Sequence, residues 1–155
     1  MKILLKMFLF AAVCFTASNV YADASHDHAH DHTASAGETK GGRMLENTNP
    51  HAEFFVEKDR SVTITFYDQQ LKSVSAADQS VSVIAESEGK KNTLNFEKKG
   101  EVLVSQGTLP EGHPINLVVR FKQSPEATFQ NFRFAYEDHL CGECKRAEYA
   151  CICGH

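Results

Sequence analysis

The stretch Ser61-Val-Thr-Ile-Thr-Phe-Tyr67 alternates between two kinds of side chain without interruption. One set of alternate positions is apolar: Val62, Ile64 and Phe66. The other set is Thr63, Thr65 and Tyr67. Because successive side chains of a strand point to opposite faces of the sheet, this pattern predicts a half-buried β-strand.

Six other short runs with similar alternation lie on both sides of this strand. They cover residues 51–57, 80–86, 92–97, 101–105, 115–121 and 128–136. The three residues Lys58-Asp-Arg60 are few enough to join the first run to the central strand as a hairpin, and Lys99-Gly100 predicts another hairpin turn. Long helical patterns are missing, and only residues 69–78 could hold a turn or two of helix.

Seven short strands between residues 43 and 136 predict an all-β domain, a small immunoglobulin-like β-sandwich, with a β-barrel as the alternative. The sequence has no tryptophan and residues 43–136 contain no cysteine, so the usual core tryptophan and disulfide are missing. Most of the 11 phenylalanines fall in the predicted strands. We therefore expect phenylalanine to fill the core.

The C-terminal tail, residues 137–155, carries a dense set of soft ligands. They are Cys141, Cys144, Cys151, Cys153 and His155. Two thiolates with two residues between them can reach one ion, and a second close pair follows after a short link. The tail therefore predicts a metal site with four sulfurs, or with three sulfurs and one nitrogen. Zinc or Cu(I) fits such soft ligands.

Two alternatives remain open for these cysteines. Two disulfides could staple the tail, as is common in exported proteins, although Cys151 and Cys153 are too close in sequence to pair with each other without strain. The second alternative is thiol redox chemistry. However, Cys141-Gly-Glu-Cys144 does not open the helix of a βαβ unit, and the neighbouring Glu143 would raise the pKa of the thiols.

Residues 1–22 have the pattern of a cleaved secretory signal peptide. Lys2 and Lys6 accompany an apolar run that is too short to span a bilayer, and small residues precede the expected cleavage site after Ala22. Cys14 raises the alternative of a lipid anchor, but a valine precedes it where lipoproteins carry a small residue. We therefore expect a periplasmic or secreted protein that is not an integral membrane protein.

Residues 23–42 are polar and small and lack apolar periodicity, which predicts a disordered linker. Within this linker four histidines stand at alternate positions: His26, His28, His30 and His32. Alternate residues of an extended chain share a face, and neutral imidazole binds zinc, copper(II), nickel and cobalt. The segment predicts a second metal site, with an incidental polar linker as the alternative.

The charge balance and the missing motifs restrict the function. The chain has 20 acidic and 16 basic residues, a net charge of -4. Removing Lys2 and Lys6 with the signal peptide leaves 20 against 14, a net charge of -6. Nucleic acid is not an expected partner, because phosphate binding requires a positive surface. The chain has no phosphate-binding loop, nucleophile elbow or catalytic carboxylate pair, so we expect no enzymatic activity.

The segments Gly41-Gly-Arg-Met-Leu-Glu46 and Asn49-Pro-His-Ala-Glu-Phe-Phe-Val56 resemble small exported bacterial proteins associated with heavy-metal efflux. They also resemble the start of periplasmic adaptor subunits of such pumps, where Gly-Gly-Arg follows a His-rich stretch. The resemblance covers residues 25–67. It implies metal handling in the periplasm and a heavy-metal efflux system as partner, but it supplies no ligand positions. The long helical hairpin of adaptors is missing, so the resemblance does not extend to pump assembly.

The sequence thus predicts an exported transition-metal-binding protein that acts as a carrier, buffer or sensor in heavy-metal homeostasis. The alternative is an exported β-sandwich interaction module with a disulfide-stapled tail and no metal function.

Overall fold

The computed structural model describes residues 39–154. The predicted signal peptide at residues 1–22, Cys14 and most of the predicted linker lie outside the described residues. The same holds for five of the predicted metal ligands: His26, His28, His30, His32 and His155.

Nine strands and one 3-10 turn make up the regular structure of the described chain. The strands are β1 Arg43–Leu45, β2 His51–Val56, β3 Ser61–Tyr67, β4 Ser73–Val74, β5 Ser80–Ser87, β6 Lys90–Lys99, β7 Val102–Thr108, β8 Ile115–Lys122 and β9 Gln130–Tyr136. The 3-10 turn is Glu148–Ala150. Within residues 39–154, no helix has the length and apolar character needed to cross a membrane.

All seven predicted strands are present, as β2, β3 and β5 to β9. Two strands were not predicted, β1 and β4. Residues 69–78, the one stretch that could have held a turn or two of helix, contain β4 instead. Val74 of β4 pairs with Phe66 of β3, so pairing to an existing strand decides the conformation of this segment.

The strands pair antiparallel in the order β1-β2-β3-β7-β6-β5-β8-β9, and β4 pairs with the end of β3. The long strand β6 joins the two layers. Its residues 90–95 pair with β5, and its residues 95–99 pair with β7. This order is that of an immunoglobulin-like Greek key, with β2, β3 and β7 in one layer and β5, β8 and β9 in the other. The predicted sandwich is confirmed.

Aromatic rings fill much of the space between the layers. Phe54, Phe66 and Phe121 are completely buried. The rings of Phe66 on β3 and Phe121 on β8 lie 6.3 Å apart between centroids, so they connect the layers. Phe54 on β2 meets Phe134 on β9 edge to face at 5.4 Å. The expected phenylalanine core is confirmed.

Strand β3 is buried on both faces, whereas its alternation predicted a half-buried strand. Its outer residues Thr63, Thr65 and Tyr67 are only 5%, 8% and 1% exposed. The cause is the chain before β1, which crosses the outer face near the buried carboxylate of Glu53. That carboxylate accepts hydrogen bonds from the Tyr67 hydroxyl at 2.6 Å and from the backbone N–H of Lys40 at 3.0 Å.

Gly42 allows this crossing, because a Cβ at its position would lie 2.3 Å from the carbonyl oxygen of Phe54. Its N–H donates to the Glu53 carboxylate at 2.6 Å. Residues 40–42, at the end of the predicted linker, therefore contact the sheet directly.

Candidate metal centre

The chain reverses its direction after β9, and this reversal places the two cysteine pairs against each other. Leu140 and Ala147 form an antiparallel bridge. The N–H of Cys141 donates to the carbonyl oxygen of Arg146 at 2.8 Å. Lys145 adopts a left-handed conformation with φ of 59°, and its N–H donates to the carbonyl oxygen of Cys141 at 3.1 Å. A tight turn over residues 141–145 therefore contains the first cysteine pair.

Tyr149 attaches the tail to the sandwich. Its side chain is 6% exposed, and its hydroxyl oxygen accepts the N–H of Val56 at the end of β2 at 3.1 Å. Its ring lies 5.1 Å from Tyr136 and 6.2 Å from Phe54 between centroids. Burial raises the pKa of Tyr149 to about 12. The phenol is therefore neutral and holds the link between the cysteine pairs on the domain.

Backbone hydrogen bonds complete this attachment. The Tyr149 N–H donates to the carbonyl oxygen of Glu137 at 3.1 Å, and Arg43 Nη1 donates to the Tyr149 carbonyl oxygen at 3.2 Å. Tyr149 and Ala150, although they lie in the tail, are part of the core. The only signal for this in the sequence was a single aromatic residue inside an otherwise polar tail.

The four cysteine sulfurs converge on one point. The sulfurs of Cys141, Cys144, Cys151 and Cys153 all lie within 4.8 Å of one another. The Cys151 Sγ lies 3.5 Å from that of Cys141 and 3.8 Å from that of Cys144. The sulfurs of Cys141 and Cys153 are 3.9 Å apart. Cys141 is buried, while the other three are half-buried. The sequence predicted this set of four together.

These separations are longer than a disulfide bond and are compatible with a metal site. A disulfide bond is about 2.05 Å long, well below the 3.5–3.9 Å between these sulfurs. An ion bound tetrahedrally through metal–sulfur bonds of about 2.3 Å separates its sulfur ligands by about 3.8 Å. The three separations of 3.5–3.9 Å are near this value and the remaining ones are no longer than 4.8 Å, so the cluster is compatible with metal binding.

Backbone N–H groups point at two of the sulfurs. Those of Ile152 and Arg146 lower the pKa of the Cys144 thiol. The N–H of Cys153 lies 3.4 Å from the Cys151 Sγ and acts to lower the pKa of that thiol, but burial and the neighbouring thiols raise it overall. Burial, followed by the neighbouring thiols, also raises the pKa of Cys153. Four thiolates at this spacing repel one another, so a bound cation would stabilise them.

Five of the nine predicted ligands lie outside the described residues, so the structure does not place the imidazoles of His26, His28, His30, His32 or His155. The His-rich segment stays a prediction. Within residues 39–154, the four cysteines are the only group of three or more potential ligand side chains close enough to hold one metal ion.

The fold and this cluster define an all-β sandwich with a four-cysteine site in its C-terminal tail. Comparison with protein-family models, with curated proteins and with solved structures finds no match for the chain. Arguments about its function therefore depend on its own geometry.

Proposed function

We propose that this chain is an exported transition-metal-binding protein and that the four tail cysteines hold the ion. The observation that supports this most directly is the convergence of four sulfurs within 4.8 Å, at separations that are too long for disulfides. Two disulfides, which are common in exported proteins, would require pairs of sulfurs in covalent contact.

Zinc is the ion that this geometry fits best. Four thiolates in a tetrahedron are typical of Zn²⁺ and of iron–sulfur centres, and a single small ion matches sulfur separations of 3.5–3.9 Å. Cu(I) is the second choice, because it also prefers soft sulfur ligands. A complete set of four protein ligands leaves no position for a substrate, which is typical of structural sites and not of catalytic ones.

The site has a structural consequence for the tail. The link between the cysteine pairs has few apolar side chains to bury besides Tyr149, so its conformation depends on the groups at its two ends. An ion bound by Cys144 and Cys151 would fix both ends at once. We infer that the bound metal holds the tail in the reversed conformation in which Tyr149 packs into the core.

Export and the His-rich segment complete the proposal. A signal peptide at residues 1–22 would send the chain to the periplasm or outside the cell, where His26, His28, His30 and His32 would form a second, weaker site for zinc, copper, nickel or cobalt. Together the two sites suit a carrier, buffer or sensor that works beside a heavy-metal efflux system.

Native mass spectrometry and thiol counting test the proposal on protein that lacks residues 1–22 and carries no affinity tag. The expected result is one tightly held zinc ion that a strong chelator removes, with four thiols reactive afterwards. A metal-free mass that is lighter by two hydrogens for each of two disulfides would overturn the proposal. It would favour the interaction module with a stapled tail.

Two variants identify the ligands. Cys151→Ser should weaken zinc binding by at least about 100-fold, since losing a ligand should exceed the 10- to 100-fold effect of losing a group that only orients one. His155→Ala is the matched control and should leave the affinity within about threefold if four sulfurs fill the coordination sphere. A large loss in His155→Ala would instead indicate three sulfurs and one nitrogen.

A further inference from the structure

An open cleft of about 960 Å³ lies between the β2–β3 hairpin and the link between the two cysteine pairs. Lys58 and Arg60 line it from the hairpin, and Tyr136 lines it from the end of β9. Its opposite wall contains Lys145, Arg146, Ala147 and Tyr149. The cleft is therefore built partly from the segment whose two ends are attached to cysteine ligands.

The cleft is positively charged although the protein is acidic. Five cationic side chains line it: Lys40, Lys58, Arg60, Lys145 and Arg146. Only three carboxylates accompany them, those of Glu57, Asp59 and Asp138. The whole chain has the opposite balance, with 20 acidic and 16 basic residues. A local excess of positive charge on an acidic protein favours an anionic partner.

The carboxylates of the cleft already have partners. Glu57 forms an ion pair with Lys40 and accepts a hydrogen bond from Thr63. Asp59 accepts the hydroxyl and the N–H of Ser61 at 2.6 Å and 3.0 Å. Asp138 lies 3.7 Å from the Nε2 of His113.

Within the described residues, four of the five cations, in contrast, form no ion pair with a carboxylate. The Arg60 guanidinium donates to the carbonyl oxygens of Leu109 and Pro110, and Lys145 donates to that of Gly142. Within residues 39–154, the side chains of Lys58 and Arg146 form no hydrogen bond or ion pair. Their charges remain available to a ligand, at opposite walls of the cleft.

We propose that this cleft binds an acidic peptide segment of a partner protein, and that the metal ion controls this binding because it fixes one wall. The second half of the inference rests on the proposed metal site. Carboxylates of the peptide would pair with Lys58 and Arg146. Without the ion, the wall formed by residues 145–149 loses its fixed ends, and the two sets of cations no longer face each other.

Fluorescence anisotropy tests the proposal with a short labelled peptide of alternating Glu and Ala, and with its Gln–Ala counterpart as the neutral probe. The zinc-loaded protein should bind the acidic probe at least about tenfold more tightly than the neutral one, and added salt should weaken the binding. Removing the metal with a chelator should weaken it about tenfold. Equal binding of both probes would overturn the proposal.

Charge reversal locates the site. Lys58→Glu should weaken binding of the acidic probe about tenfold, because it replaces an attraction by a repulsion. Lys58 lies far from the cysteines in sequence, so this variant tests the cleft without altering the tail. Lys72→Glu and Lys90→Glu introduce the same charge change at exposed positions that do not line the cleft. They should change the affinity by less than about twofold. An equal loss in these controls would overturn the assigned site.

Two further measurements separate the possible failures. Succinate, a free dicarboxylate, should not displace the peptide at equal carboxylate concentration; if it does, the peptide is the wrong class of ligand.

The zinc content of each sample is measured alongside. A protein that holds zinc but ignores the peptide refutes only this inference, whereas a protein that holds no zinc refutes the proposed metal site. Equal peptide binding with and without bound zinc would refute the metal control.

Discussion

Tyr149 is the residue on which the attachment of the tail depends. Its ring packs on Tyr136 and Phe54, and its hydroxyl oxygen accepts the N–H of Val56. Removal of the whole ring leaves a cavity in the core and an unsatisfied N–H, whereas removal of the hydroxyl alone leaves only the second defect. The two losses can be separated by substitution.

Tyr149→Ala should lower the free energy of unfolding by about 3–5 kcal/mol, the range for removal of a buried aromatic side chain. Tyr149→Phe keeps the ring and should lower it by about 1–3 kcal/mol. Urea unfolding of the metal-loaded proteins measures both. If the alanine variant is as stable as the native protein, the tail does not contribute to the core.

At the scale of elements, what could be predicted from the sequence depends on the length of each element and on the sequence separation of its contacts. Seven strands were predicted because five or more alternating residues reveal a period of two. Strands β1 and β4 have three and two residues, too few to show a period. The burial of the outer face of β3 was not predicted. Residues 40–42 cover this face, and the composition of their segment indicates a linker.

The cysteine cluster was predictable because its ligands are close together in sequence. The packing of the tail on the sandwich was not predictable. It depends on contacts between Tyr149 and residues 93 and 106 positions earlier, Val56 and Arg43. No local pattern encodes such a pairing, since a single aromatic residue in a polar segment fits an exposed tail equally well.

The metal should order one element and leave the sandwich unchanged. In the metal-free protein, the amides of Cys141, Glu148 and Tyr149 should exchange with deuterium at least about tenfold faster, because the bonds that protect them lie in the reversal clipped by the ion. Hydrogen exchange with site resolution measures this.

The internal control is β5, which is paired on both sides by β6 and β8. Its amides should be equally protected with and without metal. Faster exchange throughout the sandwich would mean that the ion supports the entire fold. Unchanged exchange in the tail would mean that packing of Tyr149 alone holds the reversal.

At the scale of the whole molecule, the tyrosines of the described chain make the stability of the fold depend on pH in the alkaline range. Burial raises the pKa of Tyr67, with the Glu53 carboxylate as a further cause, and burial also raises the pKa of Tyr136 and brings that of Tyr149 to about 12. A pKa that is higher in the folded than in the unfolded state favours folding while the group is protonated. This contribution is complete below about pH 10, the unfolded pKa, and is lost above it.

Protein without residues 1–22 contains only these three tyrosines. Its native phenolate absorbance should remain low at pH 10, where an unfolded chain has about half of its phenols ionised. The urea midpoint should fall as the pH rises from about 10 toward 12. Tyr67→Phe supplies the control, since this variant should show a smaller fall. A native titration centred at pH 10 would contradict the buried phenols.

The position of Tyr149 in the C-terminal tail also determines when, during synthesis of the chain, the fold can be completed. Chains are synthesised from the N-terminus at about 5–20 residues per second, and domains tend to fold as their residues emerge. The last strand can pair before the tail exists, but the end of the sandwich beside Phe54 and Tyr136 then lacks its cover. Only a chain that extends through Cys153 can close this end and bring its four sulfurs together. Capture of the metal ion would thus distinguish a chain that contains the tail from one that stops before it, whose uncovered end stays accessible to proteases.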